Sequence, residues 1–233
     1  MLTIERAGPD TCHSVRGAAA VIDVIRAFTT AAYAFAAGAS AIVPARTVAE
    51  AFAFQAAFPG ALLMGEERGL MPPGFDFGNS PAALLGRDLG GRVVVQRTGM
   101  GTVALLACGA ATPLLAGSFA CAGATVRYLL RHAAGSIALV RSGIEPEGEE
   151  DDACADYLAE LLRGSSPNPA PFLRRARESY AGRMFTDLLR PGFDPADLEC
   201  CVALDRFGFA LVAERPTGTE AGGAPLIIRA VPC

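Results

Sequence analysis

The chain has 233 residues, 52% of them apolar, a formal net charge of −4 and only two histidines, His13 and His132. That length allows one large domain or two small ones, and the apolar fraction makes a sizeable core easy to form. Scattered arginines with no basic stripe exclude a nucleic-acid footprint, and no charge-free apolar run reaches the roughly 18 to 20 residues that span a bilayer. The N-terminal Met1-Leu2-Thr3-Ile4-Glu5 lacks a basic-then-apolar signal, so a cytoplasmic protein is expected. Seven cysteines, an odd number with no CxxC pair, argue against a disulfide framework or a zinc site and read as buried thiols.

Residues 18–23 (AAAVID) are a short apolar run ending in a carboxylate, as a buried parallel strand does at an active-site edge. Arg26, Thr29 and Thr30 follow, then an alanine-rich helix that Gly38 stops. Residues 41–43 read as a second strand. Thr47 caps a helix to about residue 58, and Glu50 completes a capping box. Pro59-Gly60 turns the chain into a third strand at 61–64.

The next stretch, 65–81 (GEERGLMPPGFDFGNSP), carries carboxylates, a guanidinium, an amide and a hydroxyl. Its four glycines and three prolines keep it out of regular structure. Ser80 suits an N-cap and Pro81 the first position of a short helix at 81–86. A polar loop that leaves a buried strand and ends on a helix N-terminus is a good place to hold an anion or a metal. Long loops without structure of their own are uncommon unless they do something.

A β-branched strand at 92–96 leads into Arg97-Thr98-Gly99-Met100-Gly101-Thr102 and an apolar helix to about residue 108. A strand at 112–116, a helix at 121–132, a strand at 136–140 and a helix at 149–163 with an acidic start follow. Residues 164–171, rich in Ser, Pro and Asn, read as a linker or loop. The segment 172–189 is mostly helical and broken near Gly182. The tail offers strands at 201–203, 207–213 and 225–231, with a Gly-rich loop at 218–223.

Strands alternating with helices predict an α/β fold of three layers, with a largely parallel or mixed sheet and antiparallel C-terminal strands at its edge. The whole chain, 1–233, reads as one such domain, with 164–171 the place for a division into two lobes. The apolar excess and edge-like tail strands are compatible with a homodimer. Polar residues cluster after strand ends, at 23–30, 66–80, 98–102 and 141–151. Ligands of open α/β sheets bind beyond those ends, so the four segments would make one site.

The chemistry follows from residue type. Asp23, Glu66, Asp76, Glu150 and Asp151 are hard oxygen ligands that, with Asn79, suit Mg²⁺. Arg26 and Arg68 can clamp a phosphate or sulfonate. Thr29, Thr30, Thr98, Thr102 and the amides near Gly99 and Gly101 can cradle phosphate oxygens. That set points to metal-assisted phosphoryl transfer or hydrolysis. Plainer readings stand beside it. Asp23 could cap the next helix, Thr29 and Thr30 could pack within it, and 149–152 could be a solvated helix start. There is no P-loop lysine, no full dinucleotide fingerprint and no GxSxG elbow.

Five blocks taken in order, VIDVIRAFTT, GEERGLMPPGFDFGNSP, RTGMGTVAL, GSFACA and EDDACAD, resemble the 2-phosphosulfolactate phosphatases of coenzyme M biosynthesis. The resemblance runs from about residue 18 to 160, and GFDFGNSP is its most specific part. It implies a Mg²⁺-dependent acid phosphatase that converts 2-phosphosulfolactate, a small anionic phosphorylated substrate, into sulfolactate and phosphate. Asp23 and Arg26 match the family's strand-end Asp-x-x-Arg, Glu66 its Gly-Glu, and Gly74, Asp76, Asn79 and Ser80 its loop. Gly101 and Thr102 match its Gly-Thr, and Glu150 and Asp151 its Glu-Asp. The resemblance thus implies catalytic roles for Asp23, as nucleophile or as Mg²⁺ ligand orienting water, for Arg26 and for Glu66, and adds Gly74, Asn79 and Ser80 to the substrate-binding set. Six positions depart from the pattern: Glu67 for Arg, Met71 for Lys, Gly99-Met100 for Thr-Asn, Cys121 for Asn and Phe28 for Thr. The departures motivate two alternatives, a non-catalytic small-anion-binding protein on the same scaffold and a phosphatase with a less anionic substrate.

Overall fold

Short apolar segments build the sheet, and the computed structural model describes residues 2–144, 146, 148–186, 191–215 and 224–233 of the chain. The strands are Thr3–Ala7 (β1), Ala18–Ile22 (β2), Ala41–Ala45 (β3), Leu62–Gly65 (β4), Val93–Arg97 (β5), Leu114–Gly117 (β6), Ser136–Arg141 (β7), Phe209–Glu214 (β8) and Ile227–Pro232 (β9). The helices are Ala27–Ala36 (α1), Val48–Ala57 (α2), Gly101–Ala107 (α3), Ala122–His132 (α4), Glu149–Leu162 (α5), Ala170–Glu178 (α6), Tyr180–Arg183 (α7) and Pro195–Cys201 (α8). Every residue of β2, β3, β4 and β6 is buried. That is the pattern of strands covered on both faces.

All nine strands form one sheet in the order β1-β7-β2-β6-β8-β9-β3-β5-β4. Pairs β1/β7, β7/β2, β2/β6, β3/β5 and β5/β4 are parallel. Pairs β6/β8, β8/β9 and β9/β3 are antiparallel. Three successive reversals mean that the β1-β7-β2-β6 half runs opposite to the β3-β5-β4 half. In a flat sheet the carboxyl ends of β2 and β5 would therefore lie on opposite edges. They meet instead. Gln96 Nε2, on β5, donates to the Ala27 carbonyl just beyond β2 at 2.8 Å.

Sheet twist allows this. One apolar cluster draws side chains from all nine strands and packs them with Phe28 of α1 and Leu105 of α3, so the sheet curls around these two helices. On its outer face, α4, α5 and α6 cover the first half and α2 covers the second. The layering is α/β/α, as the sequence predicts.

The tail departs from expectation. Strands β8 and β9 are antiparallel as predicted, yet they lie in the middle of the sheet rather than at its edge, and join the two halves. The true edges are β1 and β4, so tail strands offer no edge for a second copy to extend. Residues 201–203 are not a strand. Asp194 caps α8 through a 2.9 Å bond from the Ala196 amide, and Pro195 opens that helix, which runs through Cys201. The helical segment after residue 170 breaks at Ser179, whose Oγ caps α7, rather than at Gly182. The helix expected at 81–86 is a single 3-10 turn, Ala82–Leu84. Strand β1 had no apolar run to mark it, since only one of its two faces needs cover. The Gly-rich loop at 218–223 and residues 187–189 lie outside the described residues. The Thr47 cap is present: its Oγ1 accepts the Glu50 amide at 3.0 Å. All seven cysteines are free thiols. Among the described residues no helix is long and apolar enough to cross a membrane.

Candidate active site

The ends of β2, β4, β5 and β7 surround a cavity of about 480 Å³. Strand β2 delivers Asp23, which does two jobs. Its Oδ1 accepts the Ala27 amide at 2.8 Å and so caps α1, while its Oδ2 meets Ser142 Oγ at 3.0 Å. Helix α3 begins hard against the same carboxylate. A Cβ on Gly101 would stand 2.5 Å from Asp23 Oδ2 and 2.7 Å from Ala27 Cβ, so only glycine lets that helix start there.

Asp151, in the first turn of α5, braces the ends of β2 and β7. Its Oδ1 accepts the Val24 amide at 2.9 Å, and its Oδ2 accepts the Ser142 and Gly143 amides at 3.1 Å. Ser142 Oγ lies 3.1 Å from that Oδ2 as well. A hydroxyl has one proton to give, so Ser142 can satisfy Asp23 or Asp151 but not both at once. The second contact is favourable only if a carboxyl carries a proton or a cation sits close by.

The electrostatics agree. Burial, with the charge of Glu66 adding to it, pushes the Asp23 carboxyl up to about 6, although the Ala27 amide and Ser142 hydroxyl pull it back. Glu150 is pushed up to about 7, first by burial and then by the charge of Asp23. Asp151 is raised by burial and by both neighbours. Glu150 Oε2 is buried with no hydrogen-bond partner among the described residues. A hard cation suits such a group of crowded carboxylates. Among the described residues no three acidic, histidine or cysteine side chains are already gathered at ligand distance. Only one or two of these carboxylates could enter the shell of a hard cation, whose other ligands would be water and substrate oxygens.

Glu66 follows β4. Its Oε1 accepts the Gly99 amide and its Oε2 the Gly69 amide at 2.6 Å, which ties two loops together. Gly65 makes the entry to that loop. Its φ is +143°, and a Cβ there would sit 1.8 Å from the Arg97 carbonyl oxygen. Arg26 is held from several sides. Nη1 donates to the Gly192 carbonyl and to Asp197 Oδ2, both at 2.8 Å, and the guanidinium lies 5.2 Å and 5.1 Å from the ring centres of Phe185 and Phe193.

The structure brings together eight of the residues named from sequence: Asp23, Arg26, Glu66, Arg68, Asn79, Thr98, Glu150 and Asp151 all line the cavity. Others stand behind it. Thr29 and Thr30 are fully buried and donate to the Val24 and Arg26 carbonyls at 2.8 and 2.9 Å, so they pack the turn and do not face a ligand. Thr102 accepts from the Thr98 amide and supports the loop. Gly74 lies in a turn against Phe52 with φ +83°. Asp76, named from sequence as a metal ligand, is not among the residues that line the cavity. Its Oδ2 accepts the Leu63 amide at 2.8 Å beside β4, away from the cavity lining. Ser80 donates to Asp197 Oδ1 at 2.7 Å and so acts on Arg26 at one remove. Sequence reasoning missed Ser142, Arg97 and Asp197. Ser142 at least sits within a marked strand end, whereas nothing around Asp197 signals a site.

The 2-phosphosulpholactate phosphatase family matches residues 6–215 of the chain. The chain belongs to this family. A probable 2-phosphosulfolactate phosphatase of Bacillus subtilis is 35% identical over 182 residues, 78% of this chain and 80% of its own length. One from Synechococcus sp. WH7803 is 31% identical over 241 residues, 96% and 94% of the two chains. One from Carboxydothermus hydrogenoformans is 41% identical over 146 residues, 62% of this chain and 60% of the relative. The departures from the phosphatase pattern now divide. Phe28 and Cys121 are fully buried in the core, and Met71 is 53% exposed, so none of the three lines the cavity. Burial pushes the Cys121 thiol up to about 12, so it is an uncharged filler. Glu67, Gly99 and Met100 do line the cavity.

Proposed function

We propose that the protein is a Mg²⁺-dependent phosphatase that hydrolyses the phosphomonoester of 2-phosphosulfolactate to sulfolactate and phosphate. The observation that carries this is the cavity itself: buried, crowded carboxylates with raised proton affinity and three arginines, Arg26, Arg68 and Arg97, line it together, in a chain of this family. Asp23 and Glu150 would hold the ion, which supplies positive charge to the phosphoryl oxygens and acidifies bound water. Asp151 and Ser142 fix the position and protonation of Asp23. Arg26, clamped by Asp197, presents its remaining N–H donors to the phosphate. Phe185, Phe193 and Ile25 exclude bulk water from that wall, which strengthens each of these interactions. Water adds to phosphorus, the P–O bond to the substrate carbon skeleton breaks, and the released alkoxide takes a proton. A place in coenzyme M biosynthesis and a cytoplasmic location belong to the same proposal.

The test is phosphate release from 2-phosphosulfolactate with Mg²⁺ and with EDTA, beside phospholactate and phosphoglycolate. Turnover that needs Mg²⁺ and is best on 2-phosphosulfolactate is expected. Folded protein that binds these acids but releases no phosphate would instead establish a non-catalytic anion-binding role.

A further inference from the structure

The segment after β4 doubles back on itself around Arg68 and Gly69. The Glu67 amide donates to the Leu70 carbonyl at 2.8 Å and the Leu70 amide to the Glu67 carbonyl at 3.2 Å, with φ of +55° at Arg68 and +82° at Gly69. That is a two-residue hairpin turn, for which asparagine followed by glycine is the favoured pair. Arginine at its first position holds a left-handed backbone that a long side chain disfavours. Neighbours fix the turn. The Gly69 amide donates to Glu66 Oε2 at 2.6 Å, and a Cβ on Gly69 would stand 2.9 Å from Phe193 Cζ. Of the arginines that line the cavity, Arg26 is tied to Asp197, and Arg97 to the Glu66 carbonyl and the Glu67 carboxylate. Arg68 is exposed, and its side chain has no hydrogen bond or ion pair among the described residues. Backbone strain of this kind gathers at functional positions, and here it carries a cation with all its donors free.

We infer that Arg68 is a specificity-determining residue: from its fixed turn at the rim of the cavity, its free guanidinium binds the acid group of the substrate that lies away from the phosphate. The inference rests on the phosphatase reading, in which Arg26 takes the phosphate. The partner is then an oxyanion such as a carboxylate or sulfonate, which a guanidinium meets through two parallel N–H···O bonds. Water solvates the exposed guanidinium until the substrate arrives, and the long side chain loses freedom on binding, so the gain is moderate.

The experiment compares kcat/KM of wild type, Arg68→Asn and Arg68→Lys on 2-phosphosulfolactate and on phenyl phosphate, which has no second acid group. Asparagine suits the turn better than arginine, so Arg68→Asn should melt no lower than the wild type, and a kinetic loss in it is not a loss of fold. For Arg68→Asn a fall of roughly tenfold is expected on the acidic ester, carried by KM, with a several-fold smaller loss on phenyl phosphate. Arg68→Lys keeps the charge without the planar fork and recovers only part of the loss. Equal losses on both esters in Arg68→Asn, or an unchanged kcat/KM on 2-phosphosulfolactate, would overturn the assignment. If the wild type releases phosphate from neither ester, the phosphatase reading falls and takes this inference with it.

Discussion

Asp197 shows how much of the site depends on a residue that touches no substrate. It is fully buried, receives Arg26 at 2.8 Å through Oδ2, and takes the Ser80 hydroxyl and the Ala82 amide through Oδ1. The Arg26 side chain is itself only 5% exposed, so neither charge has water to fall back on. Removing one partner of such a buried pair costs about 3 to 5 kcal/mol, because the other is left uncompensated. Asp197→Asn keeps the shape and the acceptor for Ser80 but not the charge. It should lower the melting temperature by several degrees and reduce kcat/KM at least about tenfold. Thermal denaturation alongside kinetics measures both. An unchanged kcat/KM would mean that the Gly192 carbonyl and the two phenyl rings hold Arg26 well enough alone.

Helix α5 opens with Glu149, Glu150, Asp151 and Asp152, all favoured by the helix dipole. From pattern alone this is a solvated acidic start, and half of it is: Glu149 is exposed, and Asp152 is half-buried with Arg141 at 2.9 Å. Only the packing of α5 against the ends of β2 and β7 reveals that Glu150 and Asp151 are buried. The raised carboxyls of Glu150 and Asp23 have a consequence with a definite sign. A folded-state pKa above the unfolded one contributes stability that is present below the ordinary carboxylate range and is lost as pH rises through about 6 to 7. Mg²⁺ needs the charged forms and so gains where the neutral forms lose. The rise in melting temperature on adding Mg²⁺ should be larger at pH 8 than at pH 5. A rise that is equal at both, or larger at pH 5, would contradict this assignment of the cation site. Elements of this kind divide what sequence could and could not reveal. Apolar runs marked β2 to β7, and cap residues marked α2, because those signals are local. The interior position of β8 and β9, the loss of Asp76 to the β4 backbone and the reach of Asp197 to Arg26 depend on pairings between distant segments, which no window of sequence contains.

At the scale of the whole molecule, the site exists because a sheet with oppositely directed halves curls until they face each other. Asp23, Ser142, Glu150 and Asp151 come from the β2 and β7 side, and Glu66, Arg97 and Thr98 from the β4 and β5 side. The central strands β8 and β9, from the C-terminal tail, join the halves and set their relative sense. Asp23 is the point at which the two sides touch, through Ser142 on one and Gly101 on the other. The most direct measurement is phosphate release from 2-phosphosulfolactate in Mg²⁺ by Asp23→Asn against the wild type, with circular dichroism to confirm that both are folded. A fall of roughly a hundredfold or more is predicted, since the variant loses the charge that the proposed cation and phosphoryl group would be arranged around. Near-wild-type turnover from Asp23→Asn would contradict the account.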